Sequence, residues 1–94
     1  MTEEQIVFIK SLDFLRLGQA INHKNWQAAG MTVKRMEKNA KECGMDEFGK
    51  WFMGIKQCVA GGNREEALSI MTLVTNKRVQ YMNKLAKDVE GKHE

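Results

Sequence analysis

The stretch WQAAGMTVKRMEKNAKECG, residues 26–44, decides the fold. Trp26, Ala29, Val33, Met36, Ala40 and Cys43 recur at alternating spacings of three and four. That is a narrow apolar seam on an α-helix; a strand would alternate every second residue. Gln27, Met31, Lys34, Lys38 and Lys41 fall on the opposite side, flanked by Arg35. Gly44 follows the last seam residue, where a helix commonly ends in the left-handed conformation that glycine adopts without steric cost. The polar run Asn22-His23-Lys24-Asn25 precedes the helix, with Asn22 or Asn25 available to cap it. The residues therefore specify a helix over 26–43, apolar on one side and basic on the other.

Downstream, Asp46 stands at the cap position of a helix over 47–60 whose core face is Phe48, Trp51, Phe52, Ile55, Cys58 and Val59. Gly61-Gly62 stops it, and Asn63 with Glu66 three residues on has the spacing of a capping box. The last helix, over 64–90, directs Ala67, Met71, Val74, Met82, Leu85 and Val89 inward, with Leu68, Val79 and Ala86 alongside. Residues 91–94 have no apolar anchor and are expected to fray. Upstream, Thr2 and Gln5 form a second capping box, opening a helix over 3–21. At 100° per residue its core face is Val7, Phe8, Leu12, Phe14 and Leu15. Ile6, Ile9 and Leu17 then lie on the charged side with Lys10, Asp13 and Arg16, as a dimer seam would, or as residues covering a long neighbouring helix would.

Ninety-four residues hold one core. Four amphipathic helices with three short connections imply a single all-α domain, an antiparallel up-down-up-down four-helix bundle over 1–94. Proline is absent, and the 43% of hydrophobic residues is dispersed, with no run near the ~18–20 that a membrane span needs. The acidic start lacks the basic region of a signal peptide, which points to the cytoplasm. Cys43 and Cys58, both on core faces, are expected as buried reduced thiols rather than a disulfide. With only His23 in a connection and His93 in the tail, no four-ligand metal set is present, and nothing designates a cofactor. The seven methionines fit as gap-filling core residues.

From about Ala20 to Leu85 the chain resembles the histidine-containing phosphotransfer family, four-helix bundles that pass phosphate between receiver domains. The family's H-x-L-K-G pattern falls on Lys34-Arg35-Met36-Glu37-Lys38, followed by the helix-ending Gly44 and the turn Gly61-Gly62-Asn63. The resemblance implies that the phosphorylated histidine is replaced by Lys34. A protonated ammonium has no lone pair with which to attack an aspartyl phosphate. It also sets Glu37 where the family's phosphate-neutralising lysine stands, and Lys38 where its glycine leaves room for the receiver. His23 lies about three turns away from the motif. An inherited fold without phosphotransfer is what these residues imply.

No paired carboxylates, nucleophile–base pair or phosphate loop marks an enzyme. The expected role is a non-catalytic interaction module, a signalling adaptor or regulator that docks a protein partner such as a receiver domain. Its face would be Gln27, Met31, Lys34, Arg35, Lys38 and Lys41. The alternatives are a self-associating protein using Ile6, Ile9 and Leu17 as a homodimer seam, or a weak nucleic-acid binder using the lysines. The net charge of +3 is too mild, and base-reading side chains too absent, for nucleic acid to lead.

Overall fold

The structure, a computed structural model, describes the backbone of residues 1–91 and side chains through Asp88. It contains five helical segments among the described residues: α1 Glu3–Ile9, α2 Asp13–Asn22, α3 Trp26–Glu42, α4 Asp46–Ala60 and α5 Arg64–Gly91. The expected fraying of 91–94 lies almost wholly outside the described residues. No described helix is long and apolar enough to cross a membrane.

α2 packs on α3, α3 on α4, α4 on α5, and α5 returns to α2. Between them lies a core built on Phe14, Leu17, Ile21, Val33, Met36, Phe48, Phe52, Ile55 and Val74. Phe8, Phe14, Phe48 and Phe52 form one aromatic cluster, with ring centroids from 5.3 to 6.3 Å apart and mostly edge-to-face. Those arrangements set the positive ring edge against the negative face of a neighbour.

The three connections after α2, α3 and α4 are one turn used three times. In each, a residue with positive φ (Lys24, Gly44, Gly62) is followed by the N-cap of the next helix. The N–H groups of Lys24, Gly44 and Gly62 bond the carbonyls of Ile21, Lys41 and Val59. Those of Asn25, Met45 and Asn63 reach Ala20, Ala40 and Cys58. These paired bonds satisfy carbonyls that a helix end leaves orphaned. Asn25 caps α3 through the Ala28 N–H, as the sequence allows. Asp46 does not cap α4: Met45 holds that position without a side-chain bond, and Asp46 sits in the first turn. Asn63 accepts from the Glu66 N–H, but Glu66 answers the Asn63 side-chain amide, because the Asn63 N–H is already taken by Cys58.

The first helix departs from the expected 3–21. It breaks between Ile9 and Asp13. In a continuous helix the Asp13 N–H would bond the Ile9 carbonyl. Here the Asp13 N–H donates to Ser11 Oγ at 3.1 Å, and the Ile9 carbonyl accepts from Arg78 Nε at 2.7 Å. The Arg78 guanidinium also lies 4.8 Å from the Phe14 ring centre, a cation–π contact. At its other end α1 is tied to α3, since Gln5 both completes the Thr2 capping box and donates Nε2 to the Cys43 carbonyl at 2.9 Å. α1 thus crosses one end of the bundle from α3 toward α5.

That break reverses the expected faces of the N-terminal segment. Ile9 and Leu17 are fully buried and Ile6 is half-buried, while Val7, Leu12 and Leu15 are 67%, 63% and 59% exposed. Only Phe8 and Phe14 keep their assigned side. α5 departs too. Ala67, Met71 and Val74 are buried, but Met82, Val79 and Ala86 are exposed, and Leu85 only packs on the core edge. The reason is length: 28 residues reach about 42 Å, against about 25 Å for the 17 residues of α3. The last turns of α5 therefore run past their neighbours. The side chain of Val89 lies outside those described.

Gly62 has φ +68°, and a Cβ there would meet Trp26 Nε1 at 3.8 Å, an ordinary van der Waals contact. Gly62→Ala is therefore expected to cost about 1 kcal/mol from backbone strain alone, measured by urea unfolding. Arg78→Met keeps the aliphatic stem but leaves the Ile9 carbonyl without its donor. A loss of about 1–2 kcal/mol is expected, and an unchanged melting curve would show that the arginine does not hold the break.

Candidate protein-docking face

α3 presents its outer side along its whole length because its apolar seam consumes only one face. Ala29, Val33, Met36 and Ala40 are buried, as the spacing requires. Gln27, Met31, Lys34, Lys38 and Lys41 are all exposed on the opposite side. Lys38 Nζ is 4.0 Å from Glu42 Oε1, an exposed pair worth little in water. Lys34 and Lys41 make no ion pair among the described residues.

Arg35, the sixth residue of the expected face, is committed elsewhere. Its Nε and Nη2 donate to the two carboxylate oxygens of Asp13 at 3.0 and 2.8 Å, a bidentate pair joining α3 to the first residue of α2. Asp13 is buried, and Arg16 adds a second cation at 3.5 Å. The hydrogen bonds from Arg35, and then its charge, hold the Asp13 carboxyl below its ordinary range. Arg35 is thus a brace between helices, with half of its side chain still in solvent.

Lys56 belongs to this face although the sequence did not single it out. It reaches from α4 to within 2.8 Å of Glu37 Oε2, an atom closed off from solvent that makes no well-aligned hydrogen bond. Glu37 is one helical turn from both Lys34 and Lys41, so Lys56 joins their side of the molecule. The pairing spans two helices, and no local periodicity reveals it.

The three motif positions are therefore an exposed lysine, a glutamate neutralised by a neighbouring lysine, and a second exposed lysine. Ammonium groups can bind carboxylate or phosphate oxygens but cannot serve as the phosphoryl acceptor. His23 sits exposed in the turn between α2 and α3. Cys58 is buried and Cys43 half-buried, both free, and burial pushes both thiols up from their usual range, which disfavours the nucleophilic thiolate. The seam expected on Ile6, Ile9 and Leu17 is not a surface: Ile9 and Leu17 are core residues of the protomer. Among the described residues, no three His, Cys, Asp or Glu side chains converge as a metal-binding group. Compared with models of protein families, with curated proteins and with solved structures, the chain has no match in any of the three.

Because its folded pKa lies below that of the unfolded chain, Asp13 contributes stability above its ordinary carboxylate range. That contribution is lost as pH falls through the folded value. Asp13→Asn is expected to cost about 1.5 kcal/mol at neutral pH. The gap to the unmodified protein should narrow as pH falls from the ordinary carboxylate range through the lowered folded value. Urea melts of both proteins across that range check it, and a gap independent of pH would contradict the ionic origin.

Proposed function

We propose that this chain is a non-catalytic, cytoplasmic interaction module that docks an acidic protein partner on the outer face of α3. In this reading it is a phosphotransfer-like bundle without the histidine, and its helices α2 to α5 run up-down-up-down with α1 across one end. The short turns support that course. So does Arg64 at the start of α5, which donates to the Asn22 carbonyl and side chain at the end of α2, while Arg78 farther along reaches Ile9 before α2 begins.

The observation that carries the reading is the makeup of the face. Met31 stands exposed among Lys34, Lys38 and Lys41 on a helix braced by its neighbours on both sides. A methionine moulds to a partner's surface without demanding one shape. Lysines around it steer an acidic surface toward it and raise the association rate. Functional side chains on a rigid helix are also held more accurately than on a loop. Receiver domains are the partner class that the resemblance supplies. Lys34 in place of the histidine leaves binding without transfer, the behaviour of an adaptor or regulator.

The test is a titration of the isotope-labelled chain with receiver domains from the same cell, followed by NMR. Shifts are expected at Gln27, Met31, Lys34, Lys38 and Lys41, with affinity falling as salt rises. Lys34→Glu with Lys41→Glu should weaken binding by about tenfold or more. A phosphorylated receiver should leave the chain unlabelled. If no receiver shifts these signals, or acid-labile label appears on His23, the reading fails.

A further inference from the structure

A groove of about 690 Å³ runs between α1 and the last turn of α3. Val7, Phe8 and Cys43 give it an apolar lining, and Val7 is 67% exposed. Its charge comes from Glu3, Glu4 and Glu42, and no lysine or arginine lines it. Arg35, nearby on α3, is held by Asp13. Lys38 stands 4.0 Å from Glu42, the one ion pair that any of the three carboxylates makes among the described residues. Burial first, and then the charges of Glu4 and Glu42, push the Cys43 thiol up, so both carboxylates bear on the same floor. Glu3 and Glu4 suit the first turn of α1, where the helix dipole favours acids. Glu42 does not suit its place: it ends α3, where the dipole favours a cation.

The complement of this groove lies on the same molecule. Met31, Lys34 and Lys38 are exposed on the outer side of α3. Glu42 comes three turns after Met31, within about 20° of the same line and about 16 Å farther along the helix. Lys41, about 100° round the helix from Glu42, lies off that line. One strip of surface along α3 is therefore basic around a methionine at one end. At the other end it is acidic beside an apolar groove.

We propose that the groove takes the α3 strip of a second copy of this chain, the two α3 helices crossing antiparallel about a two-fold axis near Lys38. A two-fold interface requires a surface that complements itself after half a turn. A strip with opposite charges at its two ends meets that condition. Met31 of each chain then lies against Val7, Phe8 and Cys43 of the other, with Lys34 toward Glu3 and Glu4. Lys38 exchanges its own Glu42 for that of the other chain. The exchange costs little, because an exposed pair within one helix is worth little in water. Association of this kind covers Met31, Lys34 and Lys38, so a second copy and an acidic partner compete for the outer face of α3. The dimer uses that face without resting on receiver binding.

Sedimentation velocity with exchanged charges tests it. At low salt the chain should sediment as a dimer of twice its 10.8 kDa mass, and added salt should shift it toward the monomer. Glu42→Lys puts a cation where the helix end favours one, so the fold is kept, but sets it against Lys38 of the other chain. Lys38→Glu sets two carboxylates together instead. Each variant alone should weaken the dimer by about tenfold or more. Mixed in equal amounts, the two variants should restore it, because every contact between positions 38 and 42 of the mixed pair then joins opposite charges. An unmodified chain that stays monomeric up to millimolar concentration at low salt overturns the proposal. So do single variants that associate as tightly as the unmodified chain, and so does a mixture that stays monomeric. Glu42→Lys leaves Met31, Lys34 and Lys41 in place, and a receiver should still shift their NMR signals. Loss of the dimer and loss of receiver binding are thus read separately.

Discussion

One hydrogen bond that the backbone does not make governs the rest of the structure. The Asp13 N–H and the Ile9 carbonyl would join α1 to α2, yet each is satisfied elsewhere, by Ser11 Oγ and by Arg78 Nε. Both of these groups stay paired, so neither adds the cost of an orphaned polar group. It frees α1 to close the end of the bundle and lets Ile9 and Leu17 turn inward. It also leaves Leu12 and Leu15 exposed. The aromatic cluster depends on the same bend, since Phe8 of α1 meets Phe14 of α2 at 5.3 Å around the elbow.

Two braces fix the helices around that elbow. Arg78 ties α5 to it from below, and the Asp13–Arg35 pair ties it to α3. A half-exposed arginine paired with a buried carboxylate is a modest source of stability but a specific one, because the bidentate geometry fixes both distance and orientation. Its consequence for the proposed function is that Arg35 is withdrawn from the face proposed for docking. What remains there is methionine, glutamine and lysine, flexible side chains suited to an adaptable and charge-steered contact.

Much of what local chemistry decides was legible in the sequence, the cap expected at Asp46 excepted. The α3 seam, the capping boxes at Thr2 and the caps at Asn25 and Asn63 all follow from spacing and side-chain type. So do the left-handed turns at Gly44 and Gly62. The third such turn is carried by Lys24, a residue that does not announce a positive φ. The elbow was hidden for a stronger reason. Neither proline nor glycine marks residues 9–13, and the group that takes the Ile9 carbonyl lies 69 positions away. Helical periodicity drawn through the break put Val7, Leu12 and Leu15 inside and Ile9 and Leu17 outside. Along α5, periodicity correctly gave an inward side but not where the neighbours end. At the candidate face, exposure of the α3 lysines was readable, whereas the engagements of Arg35 and Glu37 come from α2 and α4 and were not.

The elbow is tested most directly by methyl NMR with a soluble paramagnetic agent. If α1 and α2 are separate helices, the methyl groups of Ile9 and Leu17 keep their signals while those of Val7, Leu12 and Leu15 are broadened. Broadened Ile9 and Leu17 beside protected Leu12 and Leu15 would mean one continuous helix.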